Sequence, residues 1–260
     1  MYHHWLLEAD AHVVRITLNR PHALNVLTVD TLQELRQIAT TVAQNSEWWV
    51  VVLQAAGPHF SAGVDVQAIA AMRQHSREVL EGTLADLQNC LDTFEAIPQP
   101  IVVRLRGHVI GGAAVLAACC DFRICDTSAS FALPEVRLGI PVIMGTQRLT
   151  KLVGSAAVKE MILLAETFDA HTAQRWNFVH RVVEPDQLDD AVNAVVRRLL
   201  SFSPPALRSA KRIINATASL SLADAQAFER AEQANLAESH DFAEAVEAFI
   251  TKREALYRGV

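Results

Sequence analysis

The sequence predicts a mixed α/β core followed by an almost wholly helical C-terminal region. Strand-like and helical runs alternate up to residue 150, and helical periodicity takes over from residue 155. Between them, Arg106 to Asp121 sets the pair Gly111-Gly112 at the head of a helix so apolar that it must be buried. With 260 residues, 51% of them hydrophobic, the chain can bury a full core. Ser203-Pro204-Pro205 is the best linker, dividing a core, residues 1–202, from a helical region, residues 203–260.

Val13 to Leu18 is the first strand candidate, closed by the turn-forming Asn19-Arg20-Pro21. Thr28 to Ala43 has helical spacing, with Thr28 and Asp30 placed to cap its start. A strand over 48–55 runs into the glycine loop His59-Phe60-Ser61-Ala62-Gly63-Val64-Asp65. Gln67 to Glu81 is polar, lacks clear periodicity and is a candidate mobile lid. A helix over 80–94 leads through Pro98-Gln99-Pro100 into a strand over 101–105. After the buried glycine-headed helix come short strands over 122–125 and 130–133. Helices are then expected over 155–165, 172–176, 187–202, 205–216, 222–238 and 242–257, interrupted by Val179 to Val183.

Charge and composition exclude several classes. The net charge is −6 and the basic residues are scattered, so no nucleic-acid surface is expected. The longest run without a polar side chain, Val109 to Cys120, falls short of the roughly 20 residues a bilayer requires. Met1 to Trp5 has no cationic start leading into an apolar segment, which predicts a cytoplasmic protein without membrane association. Cys90, Cys119, Cys120 and Cys125 show no CxxC spacing and read as small hydrophobes, not disulfide or metal ligands. The Asn215-Ala216-Thr217 sequon has meaning only in a secreted chain. Ser61 lacks the GxSxG spacing of a hydrolase nucleophile.

Two glycine loops, one after a strand and one opening a buried helix, are places where backbone N–H groups can be aimed together at an anion. Taken alone, Gly111 and Gly112 equally suit close helix packing. In order along the chain, Leu18 to Asn25, Phe60 to Asp65, Gly107 to Asp121, Leu133 to Pro141, Gly145 to Leu149 and Ala248 to Arg253 carry a wider pattern. On these six segments the chain resembles the crotonase, or enoyl-CoA hydratase/isomerase, superfamily over nearly its whole length.

The resemblance implies a spiral of repeated ββα turns with a C-terminal helical region that closes the site and packs in a homotrimer or homohexamer. It implies an acyl-CoA substrate, with coenzyme A entering as the thioester and not as a permanently bound cofactor. The thioester oxygen then meets the N–H groups of Val64 and Gly112, and Gly111 is small so that it can approach. Ala62, Gly63, Asp65 and Val66 meet the CoA, while Arg20, His22 and Lys252 are candidates for its phosphates. Glu135 matches one of the two acids of the hydratases. The other acid falls on Val115, which cannot hold or ionise water, and Leu116 stands where dehalogenase-like members carry a nucleophilic aspartate.

A single carboxylate facing two N–H donors suits a proton shuttle, so a Δ3 to Δ2 enoyl-CoA isomerase is the expected activity. Enoyl-CoA hydratase, acyl-CoA decarboxylase and a non-catalytic acyl-CoA binder are the alternatives. His59, His75, Glu78 and Glu81, in or near the lid, are candidates for a second polar group. Leu138 to Gly145 is one residue shorter before Pro141 than the commoner family form and bulkier, so acyl-chain length does not carry over.

Overall fold

The computed structural model describes residues 2–260 and contains two sheets and ten α-helices among those residues. The larger sheet has the order β1-β2-β3-β4-β6-β9, formed by Trp5–Asp10, Val13–Leu18, Val50–Ala55, Ile101–Leu105, Phe122–Asp126 and Arg181–Val183. Only the β1–β2 pair is antiparallel; the rest of this sheet is parallel. The smaller sheet, in the order β5-β7-β8, joins His108–Ile110, Ser130–Ala132 and Phe168–Asp169.

The spiral follows from how successive strands alternate between the sheets. β4 lies in the large sheet, β5 in the small one, and α4 (Gly112–Ala118) follows; β6 and β7 repeat the step before α5 (Thr146–Lys159). An earlier turn is abbreviated: after β3, Ser61 makes only a single bridge to Val109 before the chain reaches α2 (Val66–Ala71) and α3 (Arg77–Glu95).

A parallel sheet covered on both faces needs apolar residues at every position, and β3 supplies them with Val50, Val51, Val52 and Leu53 all fully buried. Val51 and Leu53 face the main core with Val103, Cys125 and α1 (Val29–Gln44). Val50, Val52, Val102 and Ile124 face the other way, under Leu188, Val192, Val196 and Leu199 of α7 (Leu188–Leu200). Those four residues recur at helical spacing, so one stripe of α7 covers that face.

α1 begins as its sequence predicts: the Thr28 side chain accepts the Thr31 N–H, and the Thr31 side chain reciprocates at the cap. The four cysteines are buried free thiols packed in the core, and burial pushes those of Cys119 and Cys125 up to about 12. Arg123 enters the core to satisfy carbonyls at the end of α4, donating to Ala117 O and Cys120 O, and reaches Phe178 O at 2.6 Å.

Several boundaries differ from expectation. β1 was not expected; pairing with β2 along its full length makes a strand of it. The helix expected over 155–165 begins instead at Thr146 and breaks at Gly154, whose φ of 80° and ψ of 160° are non-helical. A π turn, Glu160–Leu164, then ends the segment. The lid region is also more ordered than its polarity suggests. α2 and a 3₁₀ turn, Met72–Gln74, occupy most of it, and α3 starts at Arg77 because the Ser76 side chain accepts the Val79 N–H.

Ser203 likewise starts a helix, capping α8 (Pro204–Thr217) with Pro204 at its first position. From α8 the chain is tied back to the core: Lys211 Nζ meets Asp121 at 2.7 Å, and Arg208 donates to Trp48 O. α9 (Leu222–Ala237) and α10 (His240–Thr251) follow. α10 stops six residues before the expected end at 257, where Lys252 adopts a left-handed conformation with φ 56°. The tail then turns back, because buried Asp241 accepts the N–H groups of Arg258 and Gly259.

Candidate active site

The two glycine loops meet. A Cβ on Gly63 would stand 2.5 Å from Ile110 O and 3.6 Å from Gly112 N, and one on Gly112 would stand 2.8 Å from a Val64 methyl. This approach allows no side chain at either position, and Gly63 also has a φ of 91° that favours glycine. Ser61 is fully buried and its hydroxyl accepts the Gly63 N–H at 3.0 Å, so it braces the loop and is not displayed as a nucleophile. The neighbouring amides are already engaged: Leu27 N donates to Gly63 O and Asp65 N to Leu27 O on either side of Val64, while Gly111 N donates to Ala132 O. The N–H groups of Val64 and Gly112 have no protein acceptor among the described residues.

Beside this pair lies a cavity of about 320 Å³. Its wall takes Ala62, Gly63 and Val64 from the first loop and Val66 from the start of α2, and Gly111, Gly112 and Val115 from the second loop and α4. Leu80, Leu84, Leu87 and Leu91 form one stripe of α3 along it, and Ile140, Ile143 and Met144 close another side.

Glu135 opens the 3₁₀ turn Glu135–Leu138 after β7, and its carboxylate enters the same cavity. A Cβ on Gly111 would meet its Oε1 at 2.7 Å; Oε2 is buried with no hydrogen-bond partner. Burial pushes the Glu135 carboxyl above the ordinary carboxylate value, and its own backbone N–H offsets this only in part. The group is therefore disposed to accept a proton beside two free N–H donors.

Val115 is 2% exposed and fills its position with methyl groups, one of which would be 2.3 Å from a Cβ on Gly145. Gly145 thus gives up its side-chain volume to Val115. Thr28 and Thr83 also reach the cavity, but their hydroxyls bond to Thr31 and to Val79 O. Of the four candidates for a second polar group, His75 lines it; His59, Glu78 and Glu81 do not, and Glu81 pairs with Arg77. The α3 stripe was missing from the sequence-derived site, although its 4-3-4 leucine spacing carries the signal.

The remaining candidates lie outside the cavity wall. Arg20 donates to Val26 O at 2.8 Å and so braces its own turn, while His22 is exposed beside it. Asp65 caps α2 by accepting the Gln67 N–H. Lys252 is exposed beyond α10. Among the described residues no cluster of three or more His, Cys, Asp and Glu is placed to hold a metal, and no helix is long and apolar enough to cross a membrane.

The enoyl-CoA hydratase/isomerase family model matches residues 8–259. The chain belongs to this family. A probable enoyl-CoA hydratase of Rhizobium meliloti is 34% identical over 99% of this chain and 98% of its own length. The short-chain-enoyl-CoA hydratase of Clostridium acetobutylicum is 33% identical over 96% of this chain and 95% of its own. Among solved structures, the enoyl-CoA hydratase of Bacillus anthracis matches with a TM-score of 0.92 at 30% identity, over 99% of this chain and all of that one. This member of the family is accordingly a crotonase-fold acyl-CoA enzyme.

Proposed function

We propose that the protein moves the double bond of an enoyl-CoA thioester from the Δ3 to the Δ2 position. The observation that carries this reading is that Glu135 is the one acidic side chain among the described residues of the cavity wall, with Val115 where a second acid would stand. Carbon 2 of a 3-enoyl thioester is acidified by both the carbonyl and the double bond. The Glu135 carboxylate removes a proton there, and the electron pair moves into a dienolate with negative charge on the thioester oxygen. The N–H groups of Val64 and Gly112 hold that charge; losing one such donor typically costs about 2.7–4 kcal/mol of transition-state stabilisation. The protonated Glu135 then delivers its proton to carbon 4, leaving the double bond between carbons 2 and 3. One carboxylate suffices because the proton that leaves is the proton that returns.

In this reading the CoA thioester is the substrate and no resident cofactor is required. Asp65 and Val66 meet the adenine end, Ala62 and Gly63 meet the substrate beside them, Arg20 and His22 serve the CoA phosphates, and Lys252 reaches them in a homotrimer or homohexamer. A second reading, hydration, is favoured by the names of relatives such as those of Rhizobium meliloti and Clostridium acetobutylicum.

The test is to give wild type and Glu135→Gln 3-hexenoyl-CoA and, separately, crotonyl-CoA, following 2-enoyl absorbance and product mass. Isomerisation without hydration, lost in the variant, is the expected result. Efficient hydration of crotonyl-CoA overturns the isomerase reading.

A further inference from the structure

The two free amides belong to different turns of the spiral, and a short ladder sets the distance between them. Phe60 N donates to Arg106 O at 2.9 Å, Ser61 N to His108 O at 2.9 Å, and Ile110 N to Ser61 O at 3.1 Å. Beyond this ladder one chain proceeds to Val64 and the other to Gly112.

Its outer end is closed by an imidazole. His59 Nδ1 accepts the His108 backbone N–H at 3.2 Å, and the His59 ring stacks on the His108 ring with centroids 4.1 Å apart and planes 13° from parallel. Gly107 permits this, since a Cβ there would stand 2.4 Å from both His59 Nδ1 and Pro58 O. On the other side Asn25 Nδ2 donates to His59 O at 2.9 Å and to Ala56 O at 2.8 Å, holding the first loop by its backbone.

We propose that His59 is a positioning residue for the Val64 and Gly112 amides, acting as a neutral latch between the two glycine loops that opens when its imidazole is protonated. The proposal rests on the reading of those amides as the oxyanion site. A peptide N–H can only donate, so Nδ1 must keep its lone pair and the ring must carry its proton on Nε2. Protonation sets two donors against each other at the end of the ladder and places a cation against His108.

The charged and titratable groups that face the ring do not favour that cation. His108 lies beneath it and Arg106 leaves the adjacent strand end. The free oxygen of Asp126 is turned to Arg106 Nε at 3.9 Å, and its other oxygen is taken by Ser128. Burial first, then His108 and Arg106, accordingly hold the His59 imidazole below its ordinary value.

His59→Asn offers an amide oxygen in place of Nδ1 without a titrating group, and His59→Leu offers no acceptor. Backbone amide NMR of the free protein between pH 8 and pH 5 reads the latch without any substrate. The Val64, His108 and Gly112 resonances should move together with His59 protonation in wild type and lose that step in His59→Asn. With substrate, His59→Leu should lower kcat about fivefold, the equivalent of one net hydrogen bond, with KM within twofold, and His59→Asn should restore it. Wild-type amides that stay still while His59 titrates, or a folded His59→Leu with full kcat, overturn the proposal. If the amides move but neither ester reacts, the latch stands and the isomerase reading fails.

Discussion

Replacing Gly111 by alanine is expected to displace the Glu135 carboxylate while leaving the cavity in place. The new Cβ would lie 2.7 Å from Glu135 Oε1, and ordinary van der Waals contact begins at 3.4 Å, so the carboxylate must retreat by about 0.7 Å. A misplacement of about 1 Å in a reacting group can cost about a hundredfold in rate, so a kcat loss between about tenfold and a hundredfold is expected. Gly111 also has φ 53° and ψ −121°, a conformation that a residue with a Cβ adopts only under strain. That strain lowers stability by about 1–3 kcal/mol. Gly82→Ala is the control: it lies exposed inside α3, and beyond the helix's own backbone no atom comes within 4 Å of its Cβ position. It should stabilise the fold by about 0.5–1 kcal/mol and leave the rate unchanged. Thermal denaturation and steady-state isomerisation of 3-hexenoyl-CoA read both effects. A folded Gly111→Ala protein with kcat within threefold of wild type would refute the dependence on Glu135 placement.

Two further outcomes follow from the same cavity. Because burial raises the folded-state pKa of Glu135, the folded state binds its proton more tightly than the unfolded state. The resulting stability is fully present below the unfolded carboxylate pKa and is lost as pH rises through the folded value. Glu135→Gln should therefore melt above wild type at pH 8, with the gap closing towards pH 4; a gap that is constant with pH would contradict the assignment. Gly145→Ala drives a Cβ to 2.3 Å from a Val115 methyl and should cost about 1–3 kcal/mol through overpacking. Adding Val115→Ala should recover part of that loss, with a coupling of about 0.5–3 kcal/mol in denaturant titrations; simple additivity would show that the two do not share that space.

Much of the fold is legible because local chemistry declares it. The Thr28 cap, the apolar run of β3 and the i, i+4 spacing of α7 each state an element and its buried face within a few neighbouring residues. β1 could not be read in this way, because Trp5–Asp10 becomes a strand through pairing with β2. The end of α10 depends on Asp241 capturing the Arg258 and Gly259 amides, a contact between the helix start and a tail that has left the helix.

The same division runs through the site. Sequence by itself determined the family, the two glycine loops, the lone carboxylate at Glu135 and the apolar residue at Val115, because these are matters of residue identity and order. Only the tertiary structure decided that Gly63 and Gly112 touch, that Glu135 lies against Gly111, and that Val115 occupies the volume surrendered by Gly145. It also brought the α3 leucines and His75 to the cavity and set His59 over Gly107. The physical reason is that a close approach depends on which turns of the spiral stack together. Stacking joins residues some 25 to 50 positions apart, where no local periodicity can record the contact.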